Sequence, residues 1–489
     1  FVRAAQLAGI TIAPTEPAFD GPLKIAVALR GNQEIINVEI DIAAAALTLA
    51  VSGAFDKPIA APAFNIKVRV NHPEMAQLFQ TAGIDYQPSS GNLGALSALA
   101  DISGQPSAIT ISRIEGTIGP VSFAGDASVN FLGPRPRVDA RLNAGEIFAK
   151  LFLPASSAIS GRSTGSRPDR TSAQGRNRWS QGPINLSALQ AFDGSFALGA
   201  RRLTYGNYTL QDPMVVANLE KGSLTIDPLN GRLFDGDAVL RLTAVADPVA
   251  RLSVYVALDG ANFEKAMQSG AGLDSVTGLF NMQGEFTTTG QSQLDLIDNL
   301  SGNLSFAARD GVIRGINLSA LSNRLNDFNA ALDFSDFFQR TFEGGETSYK
   351  AFQGSFEVED GVARSTDLTA VLDAAAGTGN AVVDLRQWRL DMRTIARLTE
   401  HPDLPSIGLD LIGPLNNPQR SIRTQVLEQY LTQRTGSTLI QKIQPVDDHA
   451  PVARKLRSAR SQDSGIPAPL GEGQVSGKTK PTIQEDLFK

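Results

Sequence analysis

Apolar and polar residues alternate with a period of two along most of this chain. Phe64, Ile66, Val68 and Val70 interleave with Asn65, Lys67 and Arg69, and Leu252, Val254, Val256 and Leu258 with Arg251, Ser253, Tyr255 and Ala257. Leu23, Ile25, Val27 and Leu29 do the same, followed by Gly31-Asn32 and then Ile36, Val38, Ile40 and Ile42. Successive side chains of a strand leave on opposite faces, so the pattern predicts strands with one apolar and one polar face. Asn230-Gly231, Asp235-Gly236, Asp310-Gly311 and Asp360-Gly361 read as hairpin turns, because these residues reach positive φ at low cost. The expected fold is mainly β: an elongated, twisted antiparallel sheet of repeated β units, groove-like or open-barrel-like, with a few short helices.

The repeats support this. Ala191-Phe192-Asp193-Gly194-Ser195-Phe196 recurs as Ala351-Phe352-Gln353-Gly354-Ser355-Phe356, and two Gly-led strands run on to Asp310-Gly311-Val312 and Asp360-Gly361-Val362. Stacked β units of this kind build a sheet that grows in one direction. Helices are expected only over His72–Ala82, Asn143–Phe152, Ser292–Leu300, Asn317–Phe328, Asp333–Phe342 and Ile422–Leu431. Trp388, Leu390 and Met392 read as one strand face.

Composition divides the chain into four. Residues 1–154 are a β-rich N-terminal region. Residues 155–182, rich in Ser, Gly and Arg, are expected to form a flexible loop. Residues 183–432 are a second β-rich region, and 433–489 a disordered tail whose Arg454, Lys455, Arg457 and Arg460 are mainly a solvated cluster.

Several chemistries are excluded or disfavoured. The net charge of −6 argues against a nucleic-acid partner. The absence of cysteine removes disulfides, thiolate metal sites and a cysteine nucleophile, and three histidines leave little for a metal centre or a triad. Gly471 to Thr479 resembles a phosphate-binding loop, but Glu472 stands where that loop needs Gly, and Pro481 follows. Gly377-Thr378-Gly379-Asn380 lacks the third Gly of a dinucleotide loop and reads as a turn. Glu357, Glu359 and Asp360 are an acidic cluster of the kind a glycosidase uses, yet Glu357 and Glu359 fall on the polar side of a strand. No cofactor is expected.

What remains is a physical problem. A large sheet with one apolar face has too few amphipathic helices to cover it. Either a second sheet closes over that face, or the face stays partly open and something apolar occupies it. Lipid acyl chains are a natural occupant, at about 0.8 kcal/mol per buried methylene.

From Arg178 onward the sequence resembles the AsmA family of bacterial envelope proteins. The resemblance is carried by Arg178-Trp179-Ser180, Pro183-Ile184-Asn185-Leu186-Ser187-Ala188-Leu189, Leu203-Thr204-Tyr205-Gly206 and Leu224-Thr225-Ile226-Asp227-Pro228-Leu229. It continues through Phe234-Asp235-Gly236-Asp237, Gly284 to Ser292, Leu300-Ser301-Gly302, Asp360-Gly361-Val362, Gly377-Thr378-Gly379 and Gly413 to Pro418. Each motif is weak alone; their order over residues 178–432 carries the likeness.

The resemblance implies a non-enzymatic, periplasmic protein anchored in the inner membrane, which shields phospholipid acyl chains in a β-sheet groove between inner and outer membranes. No apolar run here is long enough to span a bilayer and the chain opens on Phe1, so that anchor is expected upstream of it. Outer-membrane assembly proteins are possible partners. The groove candidates are Leu252, Val254, Val256, Leu258, Leu304, Phe306, Phe356 and Val358; each fits an ordinary core equally well. The other readings are a periplasmic binding module or assembly factor for outer-membrane proteins, and an extracellular β-rich adhesin or glycan-active enzyme.

Overall fold

A computed structural model describes residues 23–44, 46–58, 62–81, 88, 91–152, 178–184, 186–246, 249–326, 344–427 and 429–430. Twenty-one strands form one sheet. The first eight are β1 (Leu23–Gly31), β2 (Ile35–Ala44), β3 (Leu47–Asp56), β4 (Ala63–His72), β5 (Leu96–Gln105), β6 (Ala108–Ile118), β7 (Val121–Asn130) and β8 (Arg137–Phe148). Next come β9 (Asp193–Tyr205), β10 (Tyr208–Glu220), β11 (Ser223–Leu233), β12 (Gly236–Ala246), β13 (Ala250–Asn262), β14 (Leu279–Gly290) and β15 (Ser301–Arg314). The last six are β16 (Glu346–Glu359), β17 (Val362–Leu372), β18 (Ala375–Asp384), β19 (Arg389–Leu398), β20 (Ile407–Pro414) and β21 (Gln419–Arg423).

Each strand pairs with its neighbour in sequence, and β1 and β21 each have one partner, so the sheet is open rather than closed into a barrel. All pairings are antiparallel except β8–β9, which is parallel and sets Arg137 beside Asp193. That pairing joins the two β-rich regions into one sheet. The connection between them contains residues 153–177, which lie outside the described residues. The described residues all fall within one compact unit, Phe1–Thr435; the expected tail, the phosphate-loop-like segment and the Asp333–Phe342 helix lie outside the described residues.

Of the expected turns, Asp360-Gly361 is a hairpin turn, and Asp235-Gly236 lies one residue beyond a hairpin turn made by Phe234-Asp235. Asp360 and Gly361 have φ of 47° and 71° between paired Glu359 and Val362. Phe234 and Asp235, at 53° and 67°, join Leu233 to Gly236. Three expected turns are instead strand interior. Asn230-Gly231 sits within β11, where a Cβ on Gly231 would meet the Leu210 side chain at 2.7 Å. Gly377 to Asn380 lies within β18, where Gly379 makes room for Thr394 in the same way. Asp310-Gly311 lies within β15; Asp310 takes φ 53° there without ending the strand, because β16 pairs on both sides of it. These glycines serve close approach, not reversal.

The described residues include the α-helices α1 (Met75–Thr81), α2 (Phe263–Ala271), α3 (Gln293–Asp298) and α4 (Leu318–Asn326). α3 matches the expected Ser292 start. Its Ser292 hydroxyl accepts from the Asp295 N–H while the Asp295 carboxylate accepts from the Ser292 N–H, a reciprocal cap. Asn143–Phe152 is not a helix. Its first residues belong to β8, held between β7 and β9, and only Ala149–Leu151 turn as a 3₁₀ helix. Ile422 is a strand residue of β21, with helical residues beginning at Gln425. Trp388 precedes β19 in a turn at φ 55°, so it does not share a strand face with Leu390 and Met392.

Candidate functional site: an apolar sheet face between two helices

Directly paired residues share a sheet face, so the register fixes which side chains lie together. One row runs Leu242, Val254, Phe286, Gly302, Val358 across β12 to β16. The next runs Leu240, Val256, Gly284, Leu304, Phe356, and the third Ala238, Leu258, Met282, Phe306, Gly354. Leu252 lies one row beyond Val254, opposite Thr288. All eight sequence-predicted residues therefore project from one face of β13, β15 and β16, with β14 between. The same apolar face is followed through β1 to β4 by Val27, Ile40, Val51 and Val68.

A helix covers this face near each end of the strands. α2 packs Phe263 and Ala266 onto the buried cluster of Leu258, Ala261, Phe280, Ala308 and Tyr349. It is capped by the Asn262 side chain, which accepts from the Lys265 N–H, and stopped by Gly272 at φ 71°. α3 sits at the opposite ends, where its Leu296 carbonyl accepts from the hydroxyl of buried Thr288. Between them the face is only half-buried. Leu252, Val254, Val256, Phe286, Leu304, Phe306 and Phe356 are all intermediate in exposure, whereas Leu258 and Val358 are buried. On β14 the stretch from Met282 to Phe286 spans about 14 Å at ~3.4 Å per residue. The arrangement is a shallow apolar trough with a helix on each side.

Its floor is aromatic. Phe306 meets Phe352 edge-on at 5.1 Å between ring centroids and stacks with Phe356 at 6.3 Å. The glycines in the rows sit opposite bulky neighbours: Gly302 faces Phe286, Gly284 faces Leu304, and Gly354 faces Phe306. Gly302 is obligatory, since at φ 157° a Cβ would run into the Glu285 carbonyl oxygen. Phe286 and Met282 on β14 are not among the sequence-predicted groove residues, because Gly284 and Thr288 interrupt the apolar alternation there. The ends of α2 are marked in the sequence by Asn262 before it and Gly272 after it.

Charge is kept off the trough. On the polar face Arg241 pairs with Asp227 at 3.1 Å and lies over the Tyr255 ring. Glu357 and Glu359 are exposed there, Glu357 directly across from Arg364. At the α2 end, burial pushes the Tyr349 phenol up to about 12, helped by the nearby Asp310 charge, and its hydroxyl donates to the Thr277 carbonyl. Asp367, on the polar side, behaves oppositely. Burial would raise its carboxyl, but hydrogen bonds from the Ser355 hydroxyl and N–H and the Ser365 hydroxyl outweigh that and hold it below its usual range.

Among the described residues no helix is long and apolar enough to cross a membrane. No curated protein and no solved structure matches the chain. The AsmA family model matches residues 48–368, reaching well upstream of the motifs that begin at Arg178. With that match covering most of the sheet, the chain belongs to the AsmA family.

Proposed function

We propose that this chain is a non-enzymatic cell-envelope protein that shelters lipid acyl chains against the trough between α2 and α3. It would carry phospholipid between inner and outer membranes and so serve outer-membrane assembly. The observation that carries the reading is the half-exposed state of Val254, Val256, Phe286, Leu304, Phe306 and Phe356, a contiguous apolar surface between two covered margins. Each methylene fully buried there would contribute about 0.8 kcal/mol, and less where one side of the acyl chain stays in water. Family membership supports an envelope role; the periplasmic site and the inner-membrane anchor upstream of Phe1 are part of the proposal.

The test is lipid extraction and mass spectrometry of protein purified without detergent, together with a photo-crosslinking residue at Val256 or Phe356 and a control at exposed Thr287. Phospholipid adducts at the first two and none at Thr287 are expected. Lipid-free protein with no adduct at any position would overturn the reading. Polysaccharide hydrolysis lost on changing Glu357 or Glu359 would favour a glycan-active enzyme.

A further inference from the structure

The two ends of the sheet are built differently. At β21 the apolar face is closed. The strand has only five residues, and Arg420 brings a charge onto the row of Ala381, Met392 and Leu411, where its guanidinium donates to the Gly315 carbonyl at 2.6 Å. Leu427, in the helical residues that follow, is 1% exposed within the cluster of Leu321, Leu398 and Ile407. A short edge, an inward charge and a covering helix are the devices that stop a sheet from growing.

Among the described residues β1 has none of these. It pairs with β2 over nine residues without a bulge, contains no proline, and is exposed at every position. Its inward row is Leu23, Ile25, Val27 and Leu29, the last 62% exposed, while the paired Val38 on β2 is buried. Its outward row carries Lys24 and Arg30 at the two ends and alanines between them, with Asp41 and Glu39 one strand further in on β2, paired to Ala26 and Ala28; a neighbouring strand would meet Lys24 and Arg30 directly and the acids only across β1. The free edge thus offers backbone hydrogen bonds, an unfinished apolar row and two cations.

We propose that β1 is a strand-addition site, taking one extended segment of a partner polypeptide in which apolar residues alternate with acidic ones. Its apolar side chains would continue the Leu23-to-Leu29 row and its acids would face Lys24 and Arg30. A second copy fits poorly. Antiparallel pairing about Val27 sets Lys24 against Arg30 twice, and in-register parallel pairing sets each cation beside its twin, which is unfavourable across strands. The 22 residues before β1 contain Pro14, Pro17 and Pro22 and no nine-residue alternating run.

The full chain is titrated with fluorescent nonamers, one alternating valine with glutamate and one valine with lysine, and followed by anisotropy and amide exchange. The glutamate nonamer should bind and slow exchange over residues 23–31. The Lys24→Glu/Arg30→Glu variant, both sites being exposed, should keep the fold, weaken that binding about tenfold and favour the lysine nonamer instead. Equal binding of both nonamers, binding indifferent to the charge reversal, residues 23–31 already as protected as β2 in the free chain, or a concentration-dependent dimer that consumes this edge would each overturn the proposal.

Discussion

The guanidinium of Arg178 lies over the indole of Trp388, 3.7 Å from the ring centroid. Beside it Trp179 meets Trp388 edge-on at 6.2 Å and donates its ring N–H to the Leu385 carbonyl at 2.9 Å. The segment that leads into β9 is thereby fastened to the β18–β19 turn. On the way it is tied to the α3 end of the trough, where the Ile184 N–H donates to the Gln291 carbonyl and the Leu294 N–H to that of Ser180. These are the only two tryptophans of the chain, so intrinsic fluorescence reports on this one contact. Arg178→Ala should shift the emission and cost about 1 kcal/mol in denaturant unfolding, with Arg178→Lys recovering part of the loss.

Tyr349 makes stability fall at high pH. Its folded value, about 12, lies above the ordinary 10. The unfolded chain therefore releases this proton first, and the contribution is present below pH 10 and lost as pH rises toward 12. Tyr349→Phe should remove that part of the alkaline slope. It should also cost about 1 kcal/mol at neutral pH, because the Thr277 carbonyl loses its donor. Chemical denaturation from pH 8 to 11.5, wild type against variant, measures both.

Asp367 acts at the other end of the scale. Its depressed carboxyl stabilises the fold above the unfolded value and loses that contribution as pH falls through the folded one. Asp367→Asn should therefore cost about 1 kcal/mol at pH 7 and progressively less as the solution is acidified below the ordinary carboxylate range, read from denaturation midpoints.

Gly302 sets the close approach of β14 and β15. Gly302→Ala places a methyl group on the Glu285 carbonyl and should cost about 2–3 kcal/mol, with faster amide exchange confined to these two strands. A neutral result would show that the strand pair opens without resistance.

The period-two alternation was enough to predict a one-sided sheet, and the Ser292–Leu300 stretch, expected to be helical, holds α3. Where glycine was involved, sequence was ambiguous. Asp360-Gly361 and Asp310-Gly311 look alike, yet one reverses the chain and the other lies under the Tyr349 ring, where a Cβ on Gly311 would clash. The choice depends on a side chain in a neighbouring strand. The parallel β8–β9 contact was invisible for a related reason: it joins residues separated by a long connection, and no local pattern marks it. Asn143–Phe152 was misread because its helix-compatible spacing yields to pairing on both sides. The trough needed both kinds of information. Its residues were legible singly, but their shared face required the register, and its walls required the position of α2, which sequence reading overlooked.

The most direct test of the trough is Val254→Asp. Val254 is itself only half-buried, beside half-buried Phe286, so an aspartate there can reach water. The expected result is a melting temperature within a few degrees of wild type and a clear loss of co-purified phospholipid. Were Val254 part of a closed core, an unpaired buried carboxylate would unfold the protein. Unfolding of the variant, or full lipid recovery from a folded one, would contradict the open trough.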